Sequence, residues 1–193
     1  FEQIEVWNWL FDQVTELKTK LGRPPKVMNL FGYTGGASMA MALAGAEVFH
    51  VDSSKGVLTW GKESQAISKI PEKSIRWVHE DAQEFLKHSF KKNFTYDGVL
   101  ADPPSWGHGA KKELWDFDKH MSLFVDLLHS VMEKNNSFAF LSSHTQGVQQ
   151  EALRNLFAQE KRWKSIECGE LGVGHHHDER ILPAGIYARA KSF

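Results

Sequence analysis

A cluster of glycines follows the first compact apolar segment and could hold a ligand against the backbone. Residues 27–31 form an apolar run of strand length, and Gly32-Tyr33-Thr34-Gly35-Gly36 separates this run from a helix of small residues. Glycines at a strand-to-helix turn let the backbone approach a ligand closely, and the start of the helix offers unpaired N–H donors. A tight turn without a ligand could have the same residues, so the glycines alone leave both interpretations open.

An acidic residue at the end of the next apolar run favours an adenosine ligand. Residues 46–51 lead directly into Asp52, 16–20 positions after the glycines. A carboxylate at this place can accept hydrogen bonds from both hydroxyls of an adenosine ribose. Asp52 could instead cap the following helix, although Ser53 or Ser54 could also fill that role.

The spacing of the glycines and a further acid distinguish between adenosine ligands. The dinucleotide fingerprint G-x-G-x-x-G places a pyrophosphate on the helix N-terminus. This turn lacks that spacing, and Tyr33 and Thr34 occupy its middle. S-adenosylmethionine carries no phosphate, and its adenine needs an apolar slot with one polar partner. Asp81, after the apolar run 75–78, could accept from the adenine amino group, cap the helix over residues 82–90, or do both. Together, the glycine turn, Asp52 and Asp81 favour S-adenosylmethionine over a dinucleotide.

The fourth apolar run ends in a stiff loop that could carry the reaction. Residues 98–101 precede Asp102-Pro103-Pro104-Ser105-Trp106, where two prolines fix φ and remove two N–H donors. Asp102 or the carbonyls beside it could accept a proton or hydrogen bond from an attacking amine. Trp106 could stack on a base, or could fill the core beneath the loop. We therefore expect Asp102, Pro103, Pro104 and Trp106 to form the catalytic edge. Methyl transfer needs alignment rather than a metal, so we expect no metal site.

These loops belong to an alternation of strands and helices that is typical of a doubly wound α/β fold. Short, nearly continuous apolar strands between helices indicate a parallel sheet that is covered on both faces. At the end of the chain, strands over residues 163–173 and 184–190 flank the polar loop 174–180, as in a hairpin. We predict a mostly parallel seven-stranded sheet, a Rossmann-like fold with a C-terminal antiparallel hairpin. The predicted helices cover residues 4–21, 37–44, 55–70, 82–90, about 114–133, and 149–159, and a further strand covers residues 137–142.

Composition limits the class of protein. The 193 residues, 41% of them hydrophobic, suffice for one packed domain, so we expect a single catalytic domain over residues 1–193. With 23 Lys and Arg against 24 Asp and Glu, bulk electrostatics alone would not bind nucleic acid. A single cysteine, Cys168, and the lack of a membrane-length apolar run or signal peptide predict a cytoplasmic protein. Because the chain begins with Phe1, we expect a preceding segment that includes parts for substrate recognition.

Several stretches resemble the class I methyltransferases of the 23S rRNA large-subunit type. They are Asn29-Leu30-Phe31-Gly32-Tyr33-Thr34-Gly35-Gly36-Ala37-Ser38, Val51-Asp52-Ser53-Ser54-Lys55 and Asp102-Pro103-Pro104-Ser105-Trp106-Gly107. The ending Leu182-Pro183-Ala184-Gly185-Ile186-Tyr187-Ala188-Arg189 is similar to an uncharacterised branch of S-adenosylmethionine-dependent methyltransferases. The resemblance implies S-adenosylmethionine as the cofactor and places Phe1-Glu2-Gln3 near its methionine end. It also implies a cofactor lining of Phe31, Gly32, Tyr33, Thr34, Gly35, Gly36, Asp52, Ser53, Asp81 and Asp102.

The segment after the fifth predicted strand has no cysteine, and this limits which atom of the substrate could be methylated. Relatives that methylate C5 of cytosine have a cysteine just after the fifth strand, because a thiolate must attack C6 first. Here that segment reads Phe140-Leu141-Ser142-Ser143-His144, so we expect a nitrogen or oxygen acceptor, with His144 as a weak candidate for a base. The preferred substrate is a base of ribosomal RNA. The alternatives are a methyltransferase for a small molecule or protein, and a nucleotide-dependent oxidoreductase or non-catalytic binding module.

Two polar loops contain residue types that can bind a metal ion or phosphate. His175-His176-His177-Asp178 is expected to be a solvated hairpin loop, because adjacent loop residues seldom all point at one metal ion. His108, Lys111 and Lys112 follow the Asp-Pro-Pro loop and could contact phosphate, or could belong to a solvated loop.

Overall fold

An amphipathic helix opens the computed structural model, which describes residues 2–108, 114–175 and 178–193. Helix α1 (Ile4–Leu21) buries Val6, Leu10, Val14 and Leu17 on one face, and this spacing of three or four residues places them along a single stripe. The helix ends at Gly22, which adopts a left-handed φ of 64° and donates its N–H to the carbonyl of Lys18. None of the described helices is long and apolar enough to span a membrane.

Seven strands form one sheet, as predicted. Its strands are β1 (Lys26–Leu30), β2 (Glu47–Asp52), β3 (Ile75–His79), β4 (Gly98–Ala101), β7 (Phe138–Ser143), β8 (Ser165–Gly174) and β9 (Ile181–Lys191). Their spatial order is β3-β2-β1-β4-β7-β9-β8. Strand β9 runs antiparallel to both of its neighbours, and the other neighbouring pairs are parallel. The prediction of a mostly parallel sheet with a C-terminal antiparallel hairpin is confirmed.

The helices cover both faces of this sheet. They are α2 (Gly36–Ala44), α3 (Lys55–Ile67), α4 (Ala82–Lys91), α5 (Phe117–Ser130) and α6 (Gln150–Ala158), with a 3₁₀ turn at Glu72–Ser74. Successive residues of β1 point to opposite faces, so that Met28 and Leu30 join the core under α4, α5 and α6, while Val27 joins the core under α1 and α2. Both faces of the central strands are therefore buried, which explains their nearly continuous apolar sequences.

The direction of the strand order reverses beside β1. Strands β2 and β3 lie on one side of β1, and β4 and β7 lie on the other. Leu30 pairs with both Val51 and Ala101, so β1, β2 and β4 end at the same level of the sheet. In doubly wound sheets, ligands bind in the crevice outside the carboxyl ends of the strands at such a reversal.

The long helix predicted over about 114–133 is shorter in the structure. Residues 114–116 form strand β6 (Leu114–Asp116), which pairs antiparallel with β5 (Trp106–His108), so the helix begins only at Phe117. At the other end, the carbonyl of Val131 accepts from the N–H of Tyr96, and the N–H of Glu133 donates to the carbonyl of Tyr96. These long-range backbone bonds remove both ends of the segment from the helix.

A charged clamp fastens the turn after α1 to the start of β4. Arg23 donates from Nη1 and Nη2 to the two carboxylate oxygens of Asp97 at 2.7 and 2.9 Å, and Asp97 is buried. The backbone N–H of Lys26 donates to the same carboxylate at 2.8 Å. This bidentate geometry is the strongest form of an arginine–carboxylate pair. It holds β1 and β4 side by side below the loops that follow them.

Candidate active site

A cavity of about 490 Å³ lies at the carboxyl ends of β1, β2 and β4, within the size range of small-molecule sites. The predicted cofactor residues line it, with the exception of Asp81, and so do Pro103 and Pro104 of the predicted catalytic edge. The full lining is Glu2, Gln3, Trp7, Asn29, Phe31, Gly32, Tyr33, Thr34, Gly35, Gly36, Ala37, Asp52, Ser53, Leu100, Asp102, Pro103, Pro104 and His144. The structure thus brings together residues from segments that are far apart in the sequence.

The glycine loop packs directly onto aromatic rings beneath it. A Cβ atom on Gly32 would lie 2.4 Å from Cε1 of His50, and one on Gly35 would lie 2.6 Å from Cη2 of Trp77. Gly35 also has a φ of 86°, which disfavours any other residue. Both glycines line the cavity as well, so a ligand there would meet bare backbone. The loop therefore requires glycine for its close packing and offers backbone groups to a ligand.

A buried chain of hydrogen bonds supports the same loop. Asn29 donates from Nδ2 to Oγ of Ser38 at 2.8 Å, and this Oγ lies 2.9 Å from Nδ1 of His50. Nε2 of His50 lies 3.1 Å from the carbonyl oxygen of Tyr33. A carbonyl only accepts, so Nε2 carries the proton and Nδ1 accepts from the Ser38 hydroxyl. Burial lowers the pKa of His50 to about 4, against the opposing effect of the Tyr33 carbonyl, which keeps the ring neutral at pH 7.

Sequence reasoning missed this support. The available signal was the presence of Asn29 and His50 inside strands that are otherwise almost wholly apolar. A polar side chain at such a position must find a partner, because burying it without one is costly.

Asp52 is held in place by the backbone at the rim of the cavity. Its Oδ2 accepts from the N–H of Tyr33 at 2.9 Å, and its Oδ1 accepts from the N–H of Ser54 at 2.8 Å. Ser54, rather than Asp52, occupies the residue before α3. Each carboxylate oxygen keeps further acceptor capacity, so the group can receive two hydroxyls in a fixed orientation.

Asp81 performs the capping role that sequence reasoning considered. Its Oδ1 accepts from the N–H groups of Gln83 and Glu84 at 2.8 and 3.2 Å, at the start of α4. Asp81 is not among the residues that line the cavity. Its contact with an adenine stays a prediction, compatible with the cap because a carboxylate has a second oxygen.

The Asp-Pro-Pro loop holds its carboxylate through side chains of the neighbouring strand. Oδ1 of Asp102 accepts from Oγ of Ser142 at 2.6 Å and lies 3.0 Å from Nε2 of His144. The hydrogen bond with Asp102 raises the pKa of His144, although partial burial opposes this shift. Pro103 is buried and Pro104 is exposed, so the loop is anchored at its start and reaches solvent one residue later.

Trp106 is not the core residue that one interpretation suggested. Its side chain is 69% exposed, and it does not line the cavity, although it follows the Asp-Pro-Pro loop closely. That interpretation is wrong, and the stacking of Trp106 on a base stays a prediction. Lys111 and Lys112 lie outside the described residues, as do His176 and His177 and the side chain of His108. Within the described ranges, no group of histidines, cysteines and acids could hold a metal ion.

The charges around the cavity are acidic. Among the described lining residues, Glu2, Asp52 and Asp102 carry carboxylates, and there is no lysine or arginine. Phosphate groups are generally held by arginine, lysine or helix N-termini, and carboxylates repel them. Carboxylates attract cations. These carboxylates suit a ligand with a sulfonium and an ammonium group, as in S-adenosylmethionine, and the start of α2 at Gly36 and Ala37 offers backbone N–H donors to the carboxylate of the same ligand.

The chain matches known families and proteins over most of its length. The family described as RNA cap guanine-N2 methyltransferase matches residues 25–175. The ribosomal RNA large subunit methyltransferase K/L of Shewanella sp. (strain MR-4) is 31% identical over 118 residues, 60% of this chain and 16% of that protein. The enzyme of the same name from Colwellia psychrerythraea is 25% identical over 164 residues, 80% of this chain and 22% of that protein. The chain spans about a fifth of these relatives, whose names confirm the predicted resemblance.

Solved structures give the same result for the fold. The S-adenosylmethionine-dependent methyltransferase from Agrobacterium tumefaciens is 32% identical, with a TM-score of 0.91 over 100% of this chain and 62% of that chain. SMU.776, a methyltransferase solved in complex with SAH, is 18% identical, with a TM-score of 0.77 over 98% of this chain and 49% of its own. Since the family match extends from the loop before β1 into the C-terminal hairpin, the protein belongs to the RNA cap guanine-N2 methyltransferase family, and its fold is that of S-adenosylmethionine-dependent methyltransferases.

Proposed function

We propose that this chain is an S-adenosylmethionine-dependent methyltransferase domain that modifies a base of RNA. The observation that carries the proposal is the cavity at the ends of β1, β2 and β4. It combines a bare glycine backbone, the oriented carboxylate of Asp52 and the Asp-Pro-Pro loop, and its described lining has no basic residue except His144. The family membership and the close structural relative from Agrobacterium tumefaciens support the same activity.

Each part of the cavity suits one part of the cofactor. The backbone of residues 32–36 would hold the amino-acid end, and Asp52 would accept from the ribose hydroxyls. Asp81, at the start of α4, would accept from the adenine amino group. When bound, the cofactor supplies a methyl group on a positively charged sulfur, which is already an activated leaving group.

The Asp-Pro-Pro loop would align the acceptor. Asp102 can accept a hydrogen bond from an N–H of the acceptor, which turns the nitrogen lone pair towards the methyl group. Pro103 and Pro104 keep the loop stiff, so the alignment is set before the substrate arrives, and such pre-alignment contributes several kcal/mol to catalysis. Trp106, which is 69% exposed and follows the loop, would stack on a base of the substrate, an interaction of about 1–3 kcal/mol per base.

A nitrogen or oxygen of the base is the proposed acceptor. Strand β7 ends at Ser143 and is followed by His144, and the single cysteine of the chain, Cys168, lies on β8 away from the lining of the cavity. The covalent route to C5 of cytosine needs a thiolate at the reacting base, which this lining does not provide. Ribosomal RNA is the proposed substrate, in agreement with the names of the curated relatives, and the cytoplasm is the proposed compartment. Because the net charge is −1, RNA affinity must come from local surfaces or from parts of a longer protein.

Transfer of a tritiated methyl group to separated cellular RNA, protein and metabolites tests this proposal. We expect nuclease-sensitive label in the RNA fraction. Trp106→Ala should lower the rate of transfer about tenfold, since about 1–3 kcal/mol of stacking is lost. Trp60, which is 60% exposed on α3 and does not line the cavity, provides the matched control, and Trp60→Ala should leave the rate unchanged. Label in protein or metabolites with unlabelled RNA would refute the proposed substrate.

A further inference from the structure

His144 connects the Asp-Pro-Pro loop to the beginning of the last strand. Its Nε2 lies 3.0 Å from Oδ1 of Asp102, and its Nδ1 lies 2.5 Å from the carbonyl oxygen of Ala184. The two partners are 42 and 40 positions away in the chain. The ring also lines the cavity, so it touches the region where cofactor and acceptor would meet.

The two partners determine the protonation of the ring. A carbonyl oxygen and a carboxylate oxygen accept hydrogen bonds and donate none. A neutral imidazole has one N–H, so it could satisfy only one of these partners, whereas the imidazolium satisfies both. The charged groups that face the ring are the carboxylates of Asp102, after β4, and of Glu2, before α1, and both favour the cation. Partial burial works in the opposite direction, but the pKa of His144 is still raised.

A β-bulge inside β9, at Ala184 and Gly185, fits this contact. Gly185 has a φ of 133°, and a Cβ atom there would lie 2.8 Å from Nδ1 of His144 and 2.8 Å from the carbonyl oxygen of Ser143. Any side chain at this position would therefore collide with the histidine or with β7. This explains the glycine in Leu182-Pro183-Ala184-Gly185, a motif whose role the cofactor site leaves open. Ser142 donates to the same oxygen of Asp102, at 2.6 Å.

We infer that His144 is a positioning residue: as an imidazolium it fixes the Asp102 carboxylate between β7 and the bulge in β9. The catalytic part of this inference rests on the proposed methyltransferase function. When the ring loses a proton, one nitrogen becomes an acceptor that faces another acceptor, and one of the two contacts is lost. Asp102 then either loses the histidine contact and keeps only Ser142, or keeps a histidine that is no longer anchored to Ala184, so its carboxylate is held less firmly. The kcat for methyl transfer should therefore fall as the pH rises through the pKa of His144.

Nitrogen NMR of the histidine rings in the full chain tests the clamp without any measurement of activity. We expect the ring nitrogens of His144 to keep both protons to a higher pH than those of an ordinary histidine, and Asp102→Asn to lower the pKa of the ring, because the carboxylate charge is removed. A ring pKa that is not raised above the ordinary 6.5, or one that is unchanged in Asp102→Asn, would overturn the inference.

The pH dependence of kcat tests the effect on catalysis. His144→Gln keeps a donor towards Asp102 but cannot titrate, so kcat should fall about tenfold and lose its decline at high pH, while the KM for S-adenosylmethionine changes less. His88 pairs with Glu80 at 2.6 Å outside the cavity lining, and His88→Gln, the control, should keep the wild-type profile. A wild-type profile in His144→Gln would refute the positioning role. Absence of methyl transfer by the wild-type protein, with a protonated ring by NMR, would instead refute the proposed function and leave the clamp.

Discussion

At the residue scale, Asp52 and Asp81 demonstrate how the same residue type at equivalent places acquires different roles. Each follows a parallel strand and precedes a helix, and in the sequence each could be either a cap or a ligand-binding acid. Asp52 is oriented across the cavity rim by the N–H groups of Tyr33 and Ser54, whereas Asp81 is turned onto the first turn of α4. The difference arises from the path of the loops, which local sequence does not determine.

Replacing Asp52 by asparagine should weaken the binding of S-adenosylhomocysteine about 10- to 100-fold. The change removes a charge from the proposed ribose contacts, and hydrogen bonds to charged groups contribute about 1.5–3 kcal/mol. It also turns an amide NH₂ towards one of the two backbone N–H donors that now hold the carboxylate. Isothermal titration calorimetry measures the affinity directly.

Asp126→Asn is the matched control, because Asp126 is exposed on α5 and does not line the cavity. Its affinity should equal that of the wild type. If Asp52→Asn also binds with wild-type affinity while its fold is intact, the ribose does not lie at Asp52.

At the element scale, the strands were predictable and the ends of several helices were not. Apolar runs between turn residues locate the strands, because the parallel core is buried on both faces. The ends of α5, by contrast, depend on β5 and on the backbone of Tyr96, which approach only in the folded chain. The ion pair between Arg23 and Asp97 joins residues that are 74 positions apart, and no local sequence pattern predicts it.

Two buried histidines within regular elements should make the protein sensitive to acid. Burial lowers the pKa of His50, in β2, and of His129, in α5, to about 4, while the unfolded chain titrates near the ordinary value of 6.5. Between these values the unfolded state binds more protons, so the free energy of unfolding should fall as the pH drops from 6.5 towards 4. Each histidine contributes on the order of 1 kcal/mol per pH unit. His144 acts in the opposite direction, because its raised pKa makes the folded state bind more protons near pH 6.5, and this contribution stops growing once the pH is well below 6.5.

Urea unfolding at pH 7, 6 and 5 checks this sign and its source. Nε2 of His129 is buried and has no hydrogen-bond partner among the described residues, so His129→Leu removes a titrating group without breaking a hydrogen bond at that atom. In this variant the free energy of unfolding should fall less between pH 7 and pH 5 than in the wild type. The remaining decrease is the contribution of His50. Equal free energies of unfolding at pH 7 and pH 5 in the wild type would contradict the account.

At the scale of the whole molecule, the order of the strands in the sheet brings residues that are far apart in the sequence to one site. Because β1, β2 and β4 end at one level, the residues at or just after their ends, Phe31, Asp52 and Asp102, meet around one cavity. That convergence could be predicted from the alternation of strands and helices. The acidic lining could be predicted only in part, since the contribution of Glu2 depends on how α1 packs beside the loops. The positioning role of His144 could not be predicted, because it depends on the antiparallel pairing of β9 with β7.

The most direct test of the central claim is a calorimetric comparison of S-adenosylmethionine, S-adenosylhomocysteine and NADH with the wild-type chain. A cavity with three carboxylates and no lysine or arginine among its described lining residues should bind the two sulfur nucleosides at one site per chain. It should give no measurable heat with NADH, because the glycine turn lacks the G-x-G-x-x-G spacing that places a pyrophosphate on the helix N-terminus. Tight binding of NADH together with no response to S-adenosylhomocysteine would contradict the account.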